Sequence, residues 1–112
     1  MRSSFGVLFF RVIKSFADAV TEKLFLGEEL SQKELNKLGT LNPVKAFERL
    51  ATLNESDEKT LLLIPAFHYH KLKGTSKYSI DADSRKSPWR ITFLWENGEM
   101  KNVELVRIED TH

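Results

Sequence analysis

The sequence predicts a single α+β domain in which an N-terminal strand and two or three helices precede a four-stranded antiparallel meander. Three patterns lead to this fold class: a short β-branched stretch near residue 13, helix start signals as far as residue 43, and alternating strands after Leu61. A chain of 112 residues, 41% of them hydrophobic, can bury one compact core. We therefore take residues 1–112 as one domain, with residues 1–12 as an N-terminal extension.

The first strand and the first helix are indicated by residues 11 to 27. The stretch RVIKSF is short, β-branched and alternating, which favours a strand from about Val12 to Phe16. A helix should follow, with Asp18 at its N-terminus, Gly27 at its end and three apolar residues on one face, namely Val20, Leu24 and Phe25.

Two further helix starts follow. Ser31 with Glu34 three residues later is a capping-box pattern, and the helix that it opens should end near Gly39. Asn42 followed by Pro43 starts a third helix, with Pro at the first helical position. The buried stripe predicted for this helix is Val44, Phe47, Leu50 and Leu53. The polar stretch NESDEKT after it predicts a solvated loop.

The second half of the chain has a period of two, which is typical of strands. HYHKLK, KYSIDA, WRITFLW and NVELVRI predict four strands. Gly74, residues 83–88 and the Asn97-Gly98 pair supply the turns between them, and Asn-Gly between alternating strands is a strong hairpin signal.

Composition narrows the environment in which we expect the protein. The chain has no cysteine, so it has neither a disulfide scaffold nor a thiolate metal site, and a reducing cytoplasm is compatible with it. Its longest apolar run, Phe5 to Phe10, is far shorter than the roughly 20 residues that cross a bilayer. We therefore expect a cytoplasmic protein with no membrane partner.

Positive charge is concentrated in residues 68–91, although the whole chain has a net charge of only +1. This basic segment has two acidic residues against six basic ones: Lys71, Lys73, Lys77, Arg85, Lys86 and Arg90. Tyr69, Tyr78 and Trp89 are interleaved with them. Cations for phosphates and flat rings for bases are what single-stranded RNA requires. The alternative is that the lysines solvate the sheet while the rings pack beneath it.

Two histidines could form a metal site. His68 and His70 would share one face of a regular strand, with His112 as a possible third ligand. The alternative, which we favour because the segment lacks further metal ligands, is that they are ordinary polar residues of a strand. We therefore expect no metal.

Asp110 and His112 are the strongest candidates for catalysis. Two residues apart on a strand, they would share a face, and a carboxylate beside an imidazole raises the imidazole pKa. If the last strand neighbours WRITF, Arg90 can approach them, with Lys73 from an adjacent strand. One acid and two cations suit RNA cleavage by the ribose 2′-hydroxyl, because the cations stabilise the transition state while the acid protonates the leaving oxygen. The alternative is a surface ion network at a sheet edge.

These segments together resemble the HigB-like branch of the RelE/ParE superfamily of bacterial toxins. IKSFADAVTEKLF is similar to the opening strand and helix of the family, and HKLKG with YSI to its central hairpin. WRITFLWENG is similar to its penultimate strand, and the closing ED-x-H to its terminal acidic-aromatic-histidine signature. The resemblance covers most of the chain and implies a RelE-like fold.

The resemblance also implies a function. Toxins of this kind, including those known as plasmid maintenance killer proteins, belong to type II toxin-antitoxin systems, enter the ribosomal A site and cleave translated mRNA without a metal or cofactor. The expected partners are the ribosome, mRNA and a helix-turn-helix antitoxin similar to HigA. The implied catalytic positions are His70, Lys73, Arg90, Asp110 and His112. The expected RNA-binding residues around them are Lys71, Lys77, Tyr78, Arg85, Lys86 and Thr111.

Two departures from the family pattern keep a second hypothesis open. Thr111 stands where the family has an aromatic residue, so stacking from that position is lost. His70 and Lys73 are three residues apart and can serve one site only if their strand bulges or ends near Leu72. The alternative function is therefore a noncatalytic RNA- or ribosome-binding module of the same fold, partnered by an antitoxin.

Overall fold

A computed structural model of the chain describes residues 12–96, 100 and 102–111, and in that part four α-helices precede a β-sheet. The helices are α1 (Ala19–Leu26), α2 (Gln32–Lys37), α3 (Pro43–Leu53) and α4 (Glu58–Leu62). A single 3₁₀ turn at Pro65–Phe67 joins α4 to the sheet.

The sheet is a four-stranded antiparallel meander, as the sequence predicts. Its strands are β1 (His70–Lys71), β2 (Tyr78–Asp81), β3 (Trp89–Trp95) and β4 (Val103–Asp110), paired in the order β1-β2-β3-β4. The α+β fold class is therefore confirmed. The predicted Asn97-Gly98 turn between β3 and β4 lies outside the described residues.

The core lies between one face of the sheet and the helices. Alternate residues of β2 and β3 point into it, including Ile80, Ile91 and Phe93, none of which is more than 1% exposed. Leu50 of α3 and Leu24 of α1 meet them from the helix side. Burying these side chains is the main stabilising contribution that the fold makes.

The three predicted helix starts are confirmed by their hydrogen bonds. Asp18 caps α1 by accepting from the Thr21 backbone N–H at 2.8 Å. Ser31 and Glu34 form the complete capping box of α2, with bonds of 3.1 and 2.9 Å. Asn42 caps α3 through the Lys45 N–H. Each bond satisfies a backbone donor that the helix itself leaves without a partner.

The predicted buried stripe of α3 is wrong at two of its four positions. Leu50 and Leu53 are buried, but Val44 is 66% exposed and Phe47 is 40% exposed. Ala46, which is fully buried, completes the true stripe. The predicted stripe and the observed stripe both have helical spacing. The face with the small side chain of Ala46 packs against α1, because a small residue allows the two helices to approach closely.

The stretch NESDEKT is not the predicted solvated loop. Asn54 is buried, and its side-chain Oδ1 accepts from the N–H groups of both Val12 and Ile13 at 3.0 Å. Ser56 is also buried, and Asp57 caps α4, a helix that the sequence did not predict. The polar side chains at these positions form hydrogen bonds with backbone groups. Composition alone cannot distinguish such buried polar residues from polar residues exposed to solvent.

The predicted first strand is an extended segment that lies parallel to β4. Isolated bridges join Ile13 to Val103 and Phe16 to Val106. Between them, the Ser15 hydroxyl accepts from the backbone N–H of Leu105, where β4 has a positive φ next to an irregularity in its pairing with β3. The bulge interrupts the ladder, so this segment does not pair as a continuous strand.

None of the helices in the described ranges is both long and apolar enough to span a bilayer.

Candidate nucleic-acid interface

The face of the sheet opposite the helices is polar, and we call it the outer face. Directly paired residues of antiparallel strands share a face, and the register therefore assigns its members. They are His70, Ser79, Asp81, Arg90, Thr92, Arg107 and Glu109. Several of the sequence-predicted residues belong to this face or to the loops beside it.

Arg90 is a buried cation on the outer face, near the start of β3. Its side chain is 6% exposed, and its Nε lies 3.3 Å from Oδ1 of Asp81, which is itself 1% exposed. The guanidinium also donates to the carbonyls of Ser87 at 2.5 Å, Trp89 at 2.7 Å and Arg85 at 3.4 Å. Arg90 could therefore reach an RNA phosphate only by leaving Asp81 and the loop. This arrangement makes Arg90 a structural residue and does not support its expected role as a phosphate-binding cation.

The loop before β3 is organised around this buried pair. Asp83 accepts from the backbone N–H of Asn42 at 2.8 Å, which ties the loop to the start of α3. Arg85 has a side chain that is 59% exposed and lies 3.2 Å from Asp81 Oδ1. Lys86 is exposed beside it. Within this loop, Arg85 and Lys86 are the cations that solvent and RNA can reach.

Lys77 crosses the outer face toward β4. Its Nζ lies 3.7 Å from Oε2 of Glu109, and the same oxygen accepts a short hydrogen bond from the Thr92 hydroxyl. Arg107 projects from β4 toward α1, with its Nε 3.4 Å from Asp18 Oδ2. Both cations are half-exposed. They neutralise neighbouring carboxylates, so only part of their charge is available to an external phosphate.

The edge strand β1 presents exposed groups. His70, Lys71 and Lys73 are exposed, and β1 ends at Lys71. The strand therefore ends near Leu72, which is the condition under which His70 and Lys73 can serve the same site. Neither lysine forms an ion pair with another residue of the described ranges. These are the cations most open to RNA.

The two neighbouring histidines do not share the regular strand on which the metal hypothesis depended. His68 has a φ of 52° in the left-handed region, so it lies outside β1. Its carbonyl oxygen is 2.9 Å from Nδ1 of His70. In the described part of the chain, no group of three or more His, Cys, Asp or Glu side chains is arranged to hold a metal. His112, the third proposed ligand, lies outside the described residues.

Tyr78 belongs to an aromatic cluster beneath the sheet. Its ring stacks on that of Tyr69, with centroids 5.6 Å apart, and on Phe93 at 6.4 Å. Trp95 donates through Nε1 to the Tyr69 hydroxyl, which in turn donates to Glu58 at 2.5 Å. Burial, followed by the hydrogen bond to Glu58, raises the pKa of Tyr69 above its ordinary value. For these rings the structure supports the packing alternative over stacking on RNA bases.

The terminal strand remains paired as far as the predicted signature. Asp110 is opposite Trp89 in the β3–β4 register, and both Asp110 and Thr111 are exposed. The last strand does neighbour WRITF, but Arg90 is opposite Glu109 and therefore lies on the other face of the sheet from Asp110. His112 lies outside the described residues.

The predicted catalytic residues do not converge in the described sheet. Lys71 is level with Phe93, near the end of β3, whereas Asp110 is level with Trp89 at its beginning. Strand spacings place the backbones of Lys71 and Asp110 roughly 20 Å apart. The expectation that Lys73 and Asp110 meet at one phosphate is therefore not supported. The antiparallel meander puts the turn after β1 at the opposite end of the sheet from the end of β4.

The sequence did not predict a cleft at the end of β4. It has a volume of about 300 Å³ and lies between the start of α1, the end of α2 and the strands β3 and β4. Lys37 and Trp89 line it together with Asp110. The position of Lys37 in the last turn of α2 is a weak signal, because cations are favourable at helix C-termini for reasons unrelated to ligands.

Comparison with models of known protein families, with curated proteins and with solved structures finds no match.

Proposed function

We propose that the protein is the toxin of a type II toxin-antitoxin system, a ribosome-dependent endoribonuclease that cleaves translated mRNA and so inhibits protein synthesis and growth. It would act in the cytoplasm, on a RelE-like fold, and be neutralised by a helix-turn-helix antitoxin similar to HigA. The observation that carries the proposal is that β4 pairs regularly with β3 from Arg107 to Asp110, beyond the irregularity. Asp110, the first residue of the predicted Asp-Thr-His signature, thereby lines a cleft at one end of the sheet.

The proposed reaction needs groups of the protein, the RNA and solvent water. The ribose 2′-hydroxyl gives its proton to water while its oxygen attacks the adjacent phosphorus, the bond from phosphorus to the 5′-oxygen breaks, and protonated His112 gives its proton to that leaving oxygen. The products are a 2′,3′-cyclic phosphate and a 5′-hydroxyl. Asp110 would orient His112, because a carboxylate that accepts from one ring nitrogen fixes the tautomer of the other.

The exposed cations would hold the RNA on either side of the reacting phosphate. His70, Lys71 and Lys73 at the β1 edge, and Arg85 and Lys86 beside β3, are accessible for this role. Because the β1 edge lies at the other end of the sheet, we assign Lys73 to a flanking phosphate. Arg90 contributes indirectly, by holding the loop that presents Arg85.

Mapping of mRNA 5′ ends in a reconstituted translation reaction tests the proposal. We expect cuts within translated codons that require ribosomes and vanish in His112→Ala. His68→Asn is the matched control, because Asn tolerates the left-handed backbone at that position, and it should cut as the wild type does. Undiminished cleavage by His112→Ala, or the same cuts without ribosomes, would contradict the proposal.

The second candidate is a noncatalytic RNA- or ribosome-binding module with the same antitoxin partner. The ion pair of Arg90 with Asp81 and its hydrogen bonds to loop carbonyls favour the noncatalytic module, because they occupy a cation that the nuclease would need at the phosphate. Thr111 in place of an aromatic residue is a second reason. This candidate predicts that growth inhibition and ribosome binding persist unchanged in His112→Ala and that no mRNA is cut.

A further inference from the structure

The cleft at the end of β4 has walls that are already fixed. The Thr21 hydroxyl of α1 accepts from the Ile108 backbone N–H of β4 at 3.0 Å. Arg107 and Asp18 join the same two elements on the rim of the cleft. At about 300 Å³ the cleft is at the small end of ligand sites, large enough for one ring system with its sugar.

One flat ring and one carboxylate stand side by side in this cleft. Trp89 and Asp110 are direct partners in the β3–β4 register, and side chains so paired have Cβ atoms about 5 Å apart on the same face. Trp89 is half-buried, and its Cζ2 would lie 3.6 Å from a Cβ at Gly39, so the turn after α2 supports the ring. The indole is therefore held in place next to an exposed acceptor.

Lys37 adds a cation to the opposite wall. It is exposed in the last turn of α2 and lines the cleft. No ion pair joins it to a carboxylate within residues 12–96, 100 or 102–111, in contrast to Arg107, which is paired with Asp18. Lys37 is therefore the lining cation that can serve an external anion.

We propose that this cleft binds one nucleotide of single-stranded RNA, with its base on Trp89, the edge of the base at Asp110 and its phosphate at Lys37. Aromatic side chains bind bases by stacking, and an ammonium group binds phosphate as a point charge. The choice of RNA as ligand rests on the proposed function. The site places a nucleotide next to the terminal signature and away from the β1 edge.

The carboxylate selects among the bases. An ionised carboxylate only accepts hydrogen bonds, and its two oxygens offer about four lone-pair sites, so Asp110 can accept from a base and still hold another donor. Guanine presents two adjacent N–H donors on its Watson–Crick edge, whereas uracil presents one donor flanked by two acceptors. The cleft should therefore prefer guanosine to uridine.

Nuclear magnetic resonance titration with guanosine and uridine 5′-monophosphate tests the inference directly. The chain has two tryptophans, so the indole N–H signal of Trp89 can be followed. The indole N–H of Trp95, which donates a hydrogen bond to the Tyr69 hydroxyl, serves as the internal reference. We expect guanosine monophosphate to shift the Trp89 signal and leave that of Trp95 in place. Its Kd should be about tenfold lower than that of uridine monophosphate, as for one good hydrogen-bonded contact.

Three variants make the test specific. Lys37→Gln should raise the Kd about threefold, whereas Lys33→Gln, a substitution of an exposed lysine on the same helix outside the cleft, should leave it unchanged. Asp110→Ala should abolish the preference for guanosine. A Trp89 signal that does not respond to either nucleotide, or an equal Kd in Lys37→Gln and Lys33→Gln, would overturn the inference.

Failure of the inference can be told apart from failure of the proposed function. The monophosphates contain no phosphodiester to cleave, so the titration measures occupancy of the cleft alone. Binding without any cutting of mRNA would reject the nuclease proposal and keep the nucleotide site. Cutting of mRNA without binding would reject the nucleotide site and keep the nuclease proposal.

Discussion

The two ends of the basic segment, residues 68–91, use their positive charge in opposite ways. At the β1 end, Lys71 and Lys73 are exposed and make no ion pair with the rest of the described chain. At the β3 end, Arg90 is buried and donates to Asp81 and to loop carbonyls. The sequence has the same kind of residue in both places. Charge density along a chain therefore locates a surface only when the strand register is known.

The largest effect that tests this comparison is on stability. Arg90→Ala should lower the free energy of unfolding by about 3–5 kcal/mol, because it leaves the buried Asp81 carboxylate with only the largely exposed Arg85 as a cationic partner. Arg85→Ala, which removes a largely exposed partner of the same carboxylate, should cost less than about 1 kcal/mol. Urea denaturation measures both values. Equal losses in the two variants would mean that the buried pair does not organise the loop.

Substitutions at the β1 end of the basic segment should weaken RNA binding and leave the free energy of unfolding unchanged. The double variant Lys71→Gln/Lys73→Gln should weaken binding of single-stranded RNA and reduce the slope of log affinity against log salt by about 1.4, the value for two phosphate contacts. Its free energy of unfolding should stay within about 0.5 kcal/mol of wild type. Lys33→Gln/Lys45→Gln, on exposed positions of α2 and α3, is the matched control. If the control reduces the slope equally, the β1 edge is not the RNA-binding surface.

The smallest effect concerns a partly exposed ion pair between Lys23 and Glu34. The Ser31 backbone N–H, and then Lys23, hold the pKa of Glu34 below its ordinary value. A lowered pKa in the folded state means that the stabilisation is present above the unfolded-state pKa, about 4.3, and is lost as the pH falls through the folded value. Glu34→Gln keeps the capping geometry. Its melting temperature should fall less than that of wild type between about pH 5 and pH 3, as measured by circular dichroism. A parallel decline would exclude this contribution.

Local signals predicted the elements of the fold better than their packing. Asp18, Ser31 and Asn42 fix helix starts through bonds to residues three positions away, so short patterns suffice to locate them. Which face of α3 is buried depends on α1 and the sheet, and the apolar spacing fitted two stripes. The role of Asn54 was also hidden, because its partners Val12 and Ile13 are more than 40 residues away.

The candidate site shows the same division. Lys71 and Lys73 are exposed, as the alternative of lysines that solvate the sheet predicted, but β1 is only His70–Lys71 and is shorter than the predicted strand HYHKLK. The burial of Arg90 could not be deduced, because it depends on Asp81 in the paired strand and on the path of the intervening loop. The cleft at Trp89 could not be deduced from the sequence either, because its walls come from α1, α2 and β4.

The measurement that most directly tests the proposed division between a catalytic terminal strand and a structural Arg90 is the single-turnover rate of mRNA cleavage on loaded ribosomes. The variants to compare with wild type are His112→Ala and Arg90→Lys, the latter at a temperature where it is folded. Losing a proton-transferring group should slow His112→Ala by about 100-fold or more, while Arg90→Lys should stay within about threefold of wild type because its charge is used inside the protein. A folded Arg90→Lys variant that cannot cleave, together with a His112→Ala variant that cleaves normally, would contradict the account.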